Sequence, residues 1–125
     1  MCDDRGMPRL DVEIHAQSEQ VMLILHGELD MATEAQLRDV ADAQLAAHDL
    51  TKLEVDLADI AFLDSSGVSA LVDLRKNATD RGVDMQVVAV SHLAARVLTI
   101  VGLAEHFGIP ADPDAVPRRS PDPDS

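Results

Sequence analysis

Aromatic side chains are almost missing from this chain. Trp and Tyr do not occur, and Phe occurs twice, as Phe62 and Phe107. The core must therefore be aliphatic, and platforms for stacking bases are absent, which argues against single-stranded nucleic-acid binding. Cysteine occurs once, as Cys2, so no intrachain disulfide forms and no zinc cluster can be built from thiolates. Positive charge is also scarce. Ten Lys and Arg stand against 23 Asp and Glu, a formal net charge of −13. Without residues 1–9 and 111–125 the chain keeps 17 acidic and 6 basic residues, so the acidity belongs to the folded part. A nucleic-acid backbone would be repelled by it, and a basic protein surface attracted. No apolar run approaches the ~20 residues of a spanning helix, and no charged-then-apolar segment opens the chain. The expectation is a cytoplasmic domain that binds neither nucleic acid nor membrane.

What is present suffices for one aliphatic domain in 125 residues. Residues 1–9 read as a loose leader. Leu10, Val12 and Ile14 alternate with Asp11, Glu13 and His15, the period of a strand with one wet face. Ala16–Gln20 suits a hairpin turn, and Val21–Leu25 is a continuous apolar run, as in a central strand covered on both sides. His26–Asp30 reads as a loop. Thr33 with Gln36 has the spacing of a capping box, opening a helix with Leu37, Val40, Ala41 and Leu45 on one stripe. A strand at Leu53–Leu57 precedes a helix that starts near Ser65 or Ser66 and stops at Gly82. On that helix Ser65, Ser69, Asp73, Lys76 and Asp80 share the polar side, and Arg75 lies at the apolar border.

Val83–Val90 forms the next strand, Ser91 caps a third helix closed by Gly102, and Phe107–Ile109 offers a short last strand. The order β-β-α-β-α-β-α gives an α/β fold: a mixed four- to five-stranded sheet with an N-terminal β-hairpin, then βαβ units. Right-handed crossovers stepping one way place the helices mainly on one face, with Glu54 and Asp56 on the other. The even greasiness of Val21–Leu25 asks for some cover on that second face. Residues 111–125, with four prolines among four aspartates, read as a disordered tail.

Asp64-Ser65-Ser66-Gly67 carries the chemistry, at the junction where strand pattern gives way to helix pattern. Backbone N–H groups and the dipole of a helix N-terminus favour an anion there. Three roles stand open for the serines: helix caps, a nucleophile, or a phosphate acceptor. A nucleophile elbow needs Gly-x-Ser-x-Gly, but Leu63 precedes Ser65 by two residues and Asp64 precedes Ser66 by two. His15, His26, His48, His92 and His106 show no triad or metal spacing. A phosphate loop is missing, and a receiver domain would need an acidic pair where the first strand ends in Ile14-His15-Ala16. The residues alone favour capping, with a phosphate acceptor second; a helix N-terminus tolerates a phosphoserine's −1.5 to −2 charge.

The stretch Leu57–Val68 resembles the signature of STAS domains, specifically the bacterial anti-sigma factor antagonists. Three further stretches agree in register: His26-Gly27-Glu28-Leu29-Asp30, Val87–Ser91 and Val101-Gly102-Leu103. The resemblance covers residues 10–110 and implies a STAS-like fold. It implies that Ser65 is a phosphoacceptor, that Asp30, Met31, Asp64, Ser66, Gly67, Ser69 and Ser91 meet a partner, and that no metal, cofactor or catalytic residue is involved. Its partners would be an anti-sigma factor Ser kinase, which supplies ATP and is released on phosphorylation, and transiently a Ser/Thr phosphatase. The alternative within the resemblance is a STAS scaffold or sensor module that is not phosphorylated. Val68-Ser69 stands where the family often has Leu-Gly, and the Pro/Asp tail has no counterpart.

Overall fold

A computed structural model describes residues 9–47 and 49–109. The expected leader (residues 1–9) lies outside the described residues except for Arg9, and the expected tail (residues 111–125) and His48 lie outside them altogether. The order is β1 (Leu10–Gln17), β2 (Gln20–Leu29), α1 (Glu34–Ala47), β3 (Lys52–Leu63), α2 (Ser65–Asp80), β4 (Asp84–Val90), α3 (His92–Ile100) and a 3₁₀ turn at Glu105–Phe107. The sheet order is β1-β2-β3-β4. β1 and β2 are antiparallel, while β3 runs parallel to both β2 and β4. This is the expected hairpin followed by βαβ units, in a mixed four-stranded sheet.

Register sorts the side chains. Val12 faces Leu25, Leu23 faces Val55, and Leu53 faces Met85, so these residues share one side of the sheet. On that side lie Leu37, Ala41 and Leu45 of α1 and Val68, Leu71, Leu74 and Ala78 of α2, all buried. Each large aliphatic side chain taken from water contributes roughly 1.5–3 kcal/mol. Truncating Leu71, fully buried, to Ala costs about 2–5 kcal/mol. Arg38 Nη1 meets Asp73 Oδ2 at 2.6 Å and fixes the outer edges of α1 and α2 together.

The other side carries Glu13, Met22, Ile24, Glu54, Asp56 and Gln86, all exposed or half-buried. Val21–Leu25 therefore alternates in burial, and the cover expected on its second face does not come from the three helices.

Four local expectations are corrected. His26–Leu29 belongs to β2, because it pairs with Asp59–Leu63. β3 is correspondingly longer than Leu53–Leu57. Phe107–Ile109 adds no strand: Phe107 closes the 3₁₀ turn, and Phe107 and Ile109 are buried as core residues. The capping box is not made, since Gln36 Nε2 donates to the Leu10 carbonyl at 2.8 Å, tying α1 to β1. The Gly82 stop holds, with a left-handed φ of 75° just past the Arg81 cap. Arg75 reaches out of the apolar border to the His106 carbonyl at 2.9 Å.

Candidate functional site

The parallel strands β2 and β3 end side by side, Leu29 against Leu63. Two short connections leave from there: Asp30–Thr33 into α1, and Asp64 into α2. Gly67 decides how closely they approach. A Cβ at this position would lie 2.4 Å from the Leu29 carbonyl oxygen, so only glycine lets the first turn of α2 seat against the end of β2. Gly67 is buried; it holds the surface in place without being part of it.

Neither serine caps α2. The N-cap is Asp64, whose Oδ1 accepts from Gly67 N at 2.9 Å, while its backbone carbonyl accepts from Val68 N. Asp64 Oδ2 accepts from Met31 N at 3.3 Å and so ties the neighbouring connection to the helix start. Ser65 and Ser66 thus occupy the first two helical positions, where N–H groups lack partners within the helix. Ser65 is exposed and Ser66 half-buried, and no described residue hydrogen-bonds the Ser65 hydroxyl. Ser69 is exposed one turn further along. The sequence-based preference for serine caps is corrected: a carboxylate does the capping and leaves the hydroxyl spare.

Asp30 is 5% exposed and works from beneath. Its Oδ1 accepts from Ala32 N at 2.9 Å and Thr33 N at 3.2 Å, and its Oδ2 pairs with Arg9 Nη2 at 2.6 Å. Thr33 Oγ1 accepts from Asp30 N and donates to the Glu28 carbonyl. This network turns Met31 outward, 75% exposed. Arg9, assigned to the leader from sequence, is a structural clamp that also holds Glu28. Its guanidinium is held protonated more firmly than usual, first by the Glu28 hydrogen bond and then by the Asp30 charge.

Ser91 stands apart from this group. β4 stops at Val90 opposite Leu57, whereas β3 continues to Leu63. The Ser91 hydroxyl caps α3 through Ala94 N at 3.1 Å and donates to the Ile60 carbonyl at 2.8 Å. Ile60 to Asp64 is four residues of extended chain, about 13 Å. Sequence reasoning missed Phe62, which is 45% exposed two residues before Asp64. The available signal was an aromatic in an otherwise aliphatic segment, next to the junction.

Asp64, Ser65, Ser69 and Met31 thus gather at one end of the sheet, around a hydroxyl and two N–H groups with no hydrogen-bond partner among the described residues and the exposed Met31 side chain, while Phe62, paired with Glu28, ends the opposite sheet face. Such a surface can take up an anion on the hydroxyl and can be covered by another protein. Among the described residues no base is hydrogen-bonded to Ser65, and no group of acidic, His or Cys side chains is arranged to hold a metal. No helix of the described residues is long and apolar enough to cross a membrane.

Comparison with known proteins assigns the class. Residues 12–110 match the family model described as "Mlab, STAS domain", and the chain belongs to the STAS domain family. Among solved structures it is similar to an anti-sigma factor antagonist from Mycobacterium paratuberculosis, with 23% identity over 84% of this chain and 88% of that one, at a TM-score of 0.71. It is also similar to the anti-sigma factor antagonist SpoIIAA in its unphosphorylated form, with 19% identity over 83% and 90% of the two chains, at a TM-score of 0.69. The murine Solute Carrier 26 family member A9 anion transporter contains a similar fold: 18% identity over 75% of this chain but 16% of that one, at a TM-score of 0.64. At these identities the solved structures establish the α/β fold, and the family match establishes membership.

Proposed function

We propose that this protein is an anti-sigma factor antagonist that acts by partner switching and is itself no enzyme. In its unmodified form it binds a basic surface of an anti-sigma factor Ser kinase in the cytoplasm and so frees a sigma factor. The kinase transfers the γ-phosphoryl group of its ATP to the Ser65 hydroxyl, and the modified protein lets go; a Ser/Thr phosphatase removes the phosphate and restores binding. The observation that carries this reading is the division of labour at the start of α2, where Asp64 caps the helix and Ser65 is left exposed with no described partner.

The physics of the switch is local. Phosphate at Ser65 adds about −1.5 to −2 charge beside the Asp64 carboxylate. The free N–H groups and dipole of α2 stabilise it within the fold, so the domain need not unfold or rearrange. A partner packed over Met31 and Ser69 meets instead a bulky, strongly hydrated dianion in its contact surface. Desolvating that charge disfavours docking. Gly67 and Ser66 support the helix start, and Asp30 holds Met31 at the rim. Ser91 enters as a positioning group that fixes α3 to β3.

Mass spectrometry after incubation with the cognate kinase and ATP tests this directly. Phosphate is expected on Ser65 alone, and Ser65→Ala is expected to bind the kinase but resist release by ATP. An ATP-independent complex of wild-type protein with no phosphate at Ser65 would favour a scaffold module instead.

A further inference from the structure

We infer that the sheet face turned away from α1 and α2 is a second docking surface, and that its occupant is a basic amphipathic helix of another protein. This inference is independent of Ser65 and its modification.

The apolar run Val21–Leu25 sits in β2, inside a sheet whose β2, β3 and β4 are parallel. Parallel strands are ordinarily covered on both faces, which is why they read as continuous apolar runs. Here one half of that run, Val21, Leu23 and Leu25, is buried at 0–1% exposure. The other half, Met22 and Ile24, is only half-buried and borders an open groove of about 250 Å³. Every residue lining that groove, including His15, Gln17 and Glu54, belongs to a strand. Val88, on the outer strand β4, is 42% exposed. The composition of β2 thus matches a two-sided burial that the described helices provide on one side only.

Charge selects the occupant. By register this face carries seven carboxylates (Asp11, Glu13, Glu28, Glu54, Asp56, Asp59 and Asp84) against Lys52 and two histidines, with Arg9 reaching Glu28 from the start of β1. Lys52 is taken up by Glu54 at 3.6 Å, and His26 by Glu13 and Asp59. A second copy of the chain would set this acidic face against itself. The segments outside the described residues are acidic as well: residues 110–125 hold four Asp against two Arg, and residues 1–8 hold two Asp against one Arg. Nucleic acid and anionic lipid are repelled by the same field. A helix with an apolar stripe for Met22 and Ile24 and Lys or Arg on both flanks satisfies both features, in the manner of an amphipathic helix laid on a complementary surface.

The probe is a synthetic Leu/Lys peptide patterned as an amphipathic helix, with a scrambled peptide of equal composition as control. Patterned peptide is expected to bind at least about tenfold tighter than scrambled, with affinity falling as salt rises. Backbone amide shifts should fall on β1–β4 residues of this face. Glu54→Lys with Asp84→Lys should weaken binding about tenfold, Ile24→Thr should weaken it at unchanged net charge, and Asp39→Lys with Asp42→Lys, exposed on α1, should change it less than about twofold. Equal binding of the two peptides, or shifts centred on α1 and α2, would overturn the inference. So would sedimentation showing a dimer that Ile24→Thr dissolves, since the occupant would then be a second copy.

Discussion

Two helices of this domain begin with a serine beside the end of a parallel strand, and the two serines do opposite things. At α3, Ser91 is itself the cap: its hydroxyl accepts from Ala94 N and donates to the Ile60 carbonyl, so both of its capacities are used. At α2, Asp64 takes the capping position and Ser65, one residue later, keeps an exposed hydroxyl without a described partner. A serine at a helix start is available for chemistry only when a neighbour has relieved it of the structural task. The one-residue offset between Asp-Ser-Ser-Gly and Val-Ser-His-Leu separates a spare hydroxyl from a fastener.

The contrast is broken most severely at Gly67, because the spare serine depends on α2 seating against β2. Gly67→Ala drives a Cβ to 2.4 Å from a backbone oxygen that cannot swing away, and overpacking of this kind costs about 3 kcal/mol. Urea denaturation should record that loss, along with weaker binding to the kinase proposed as its partner.

Next in size is the cap. Asp64→Ala removes the acceptor for Gly67 N and the tether to Met31 N, and should cost about 1–2 kcal/mol. Asp64→Asn should retain most of it. If the stability of Asp64→Ala matched wild type, Ser65 or Ser66 would have taken over the cap and would not be spare.

A smaller effect lies on the far face. His26 places Nε2 2.7 Å from Glu13 and Nδ1 2.8 Å from Asp59, an arrangement that only the imidazolium can satisfy at both nitrogens. Asp11, opposite His26 in register, and His15, bonded to Glu13, are the other titrating groups around it. The Glu13 hydrogen bond raises the His26 pKa above its ordinary value, while His26 and His15 lower that of Glu13. The histidine's contribution to stability is therefore complete below about pH 6.5, the unfolded value, and fades as pH rises through the higher folded value. Glu13's contribution is present above the ordinary carboxylate range and fades as pH falls through its depressed value. A proton-NMR titration should place the His26 midpoint above that of a model histidine, and Glu13→Gln should bring it down.

Much of the fold was legible because its signals are local. The alternation at Leu10–Ile14, the apolar run at Val21–Leu25, the glycine stop at Gly82 and the Ser91 cap each lie within one element or at its end. What was not legible depends on residues far apart in sequence. Asp64 outcompetes the serines as cap while also serving Met31, 33 residues away. Gln36 bypasses Thr33 for the Leu10 carbonyl, 26 residues away. Asp30, buried, has its charge met by Arg9, 21 residues away. The junction itself was found from its motif, but the roles within it were exchanged, since spacing alone does not say which of several polar groups points into the helix end.

The central claim is that the Ser65 hydroxyl carries no structural load, and paired denaturation curves of Ser65→Ala and Ser91→Ala test it with the protein alone. The expected result is a change within about 0.5 kcal/mol for Ser65→Ala, against a loss of about 1–2 kcal/mol for Ser91→Ala, which strips a cap and leaves the Ile60 carbonyl without its donor. Equal losses in the two variants would contradict it.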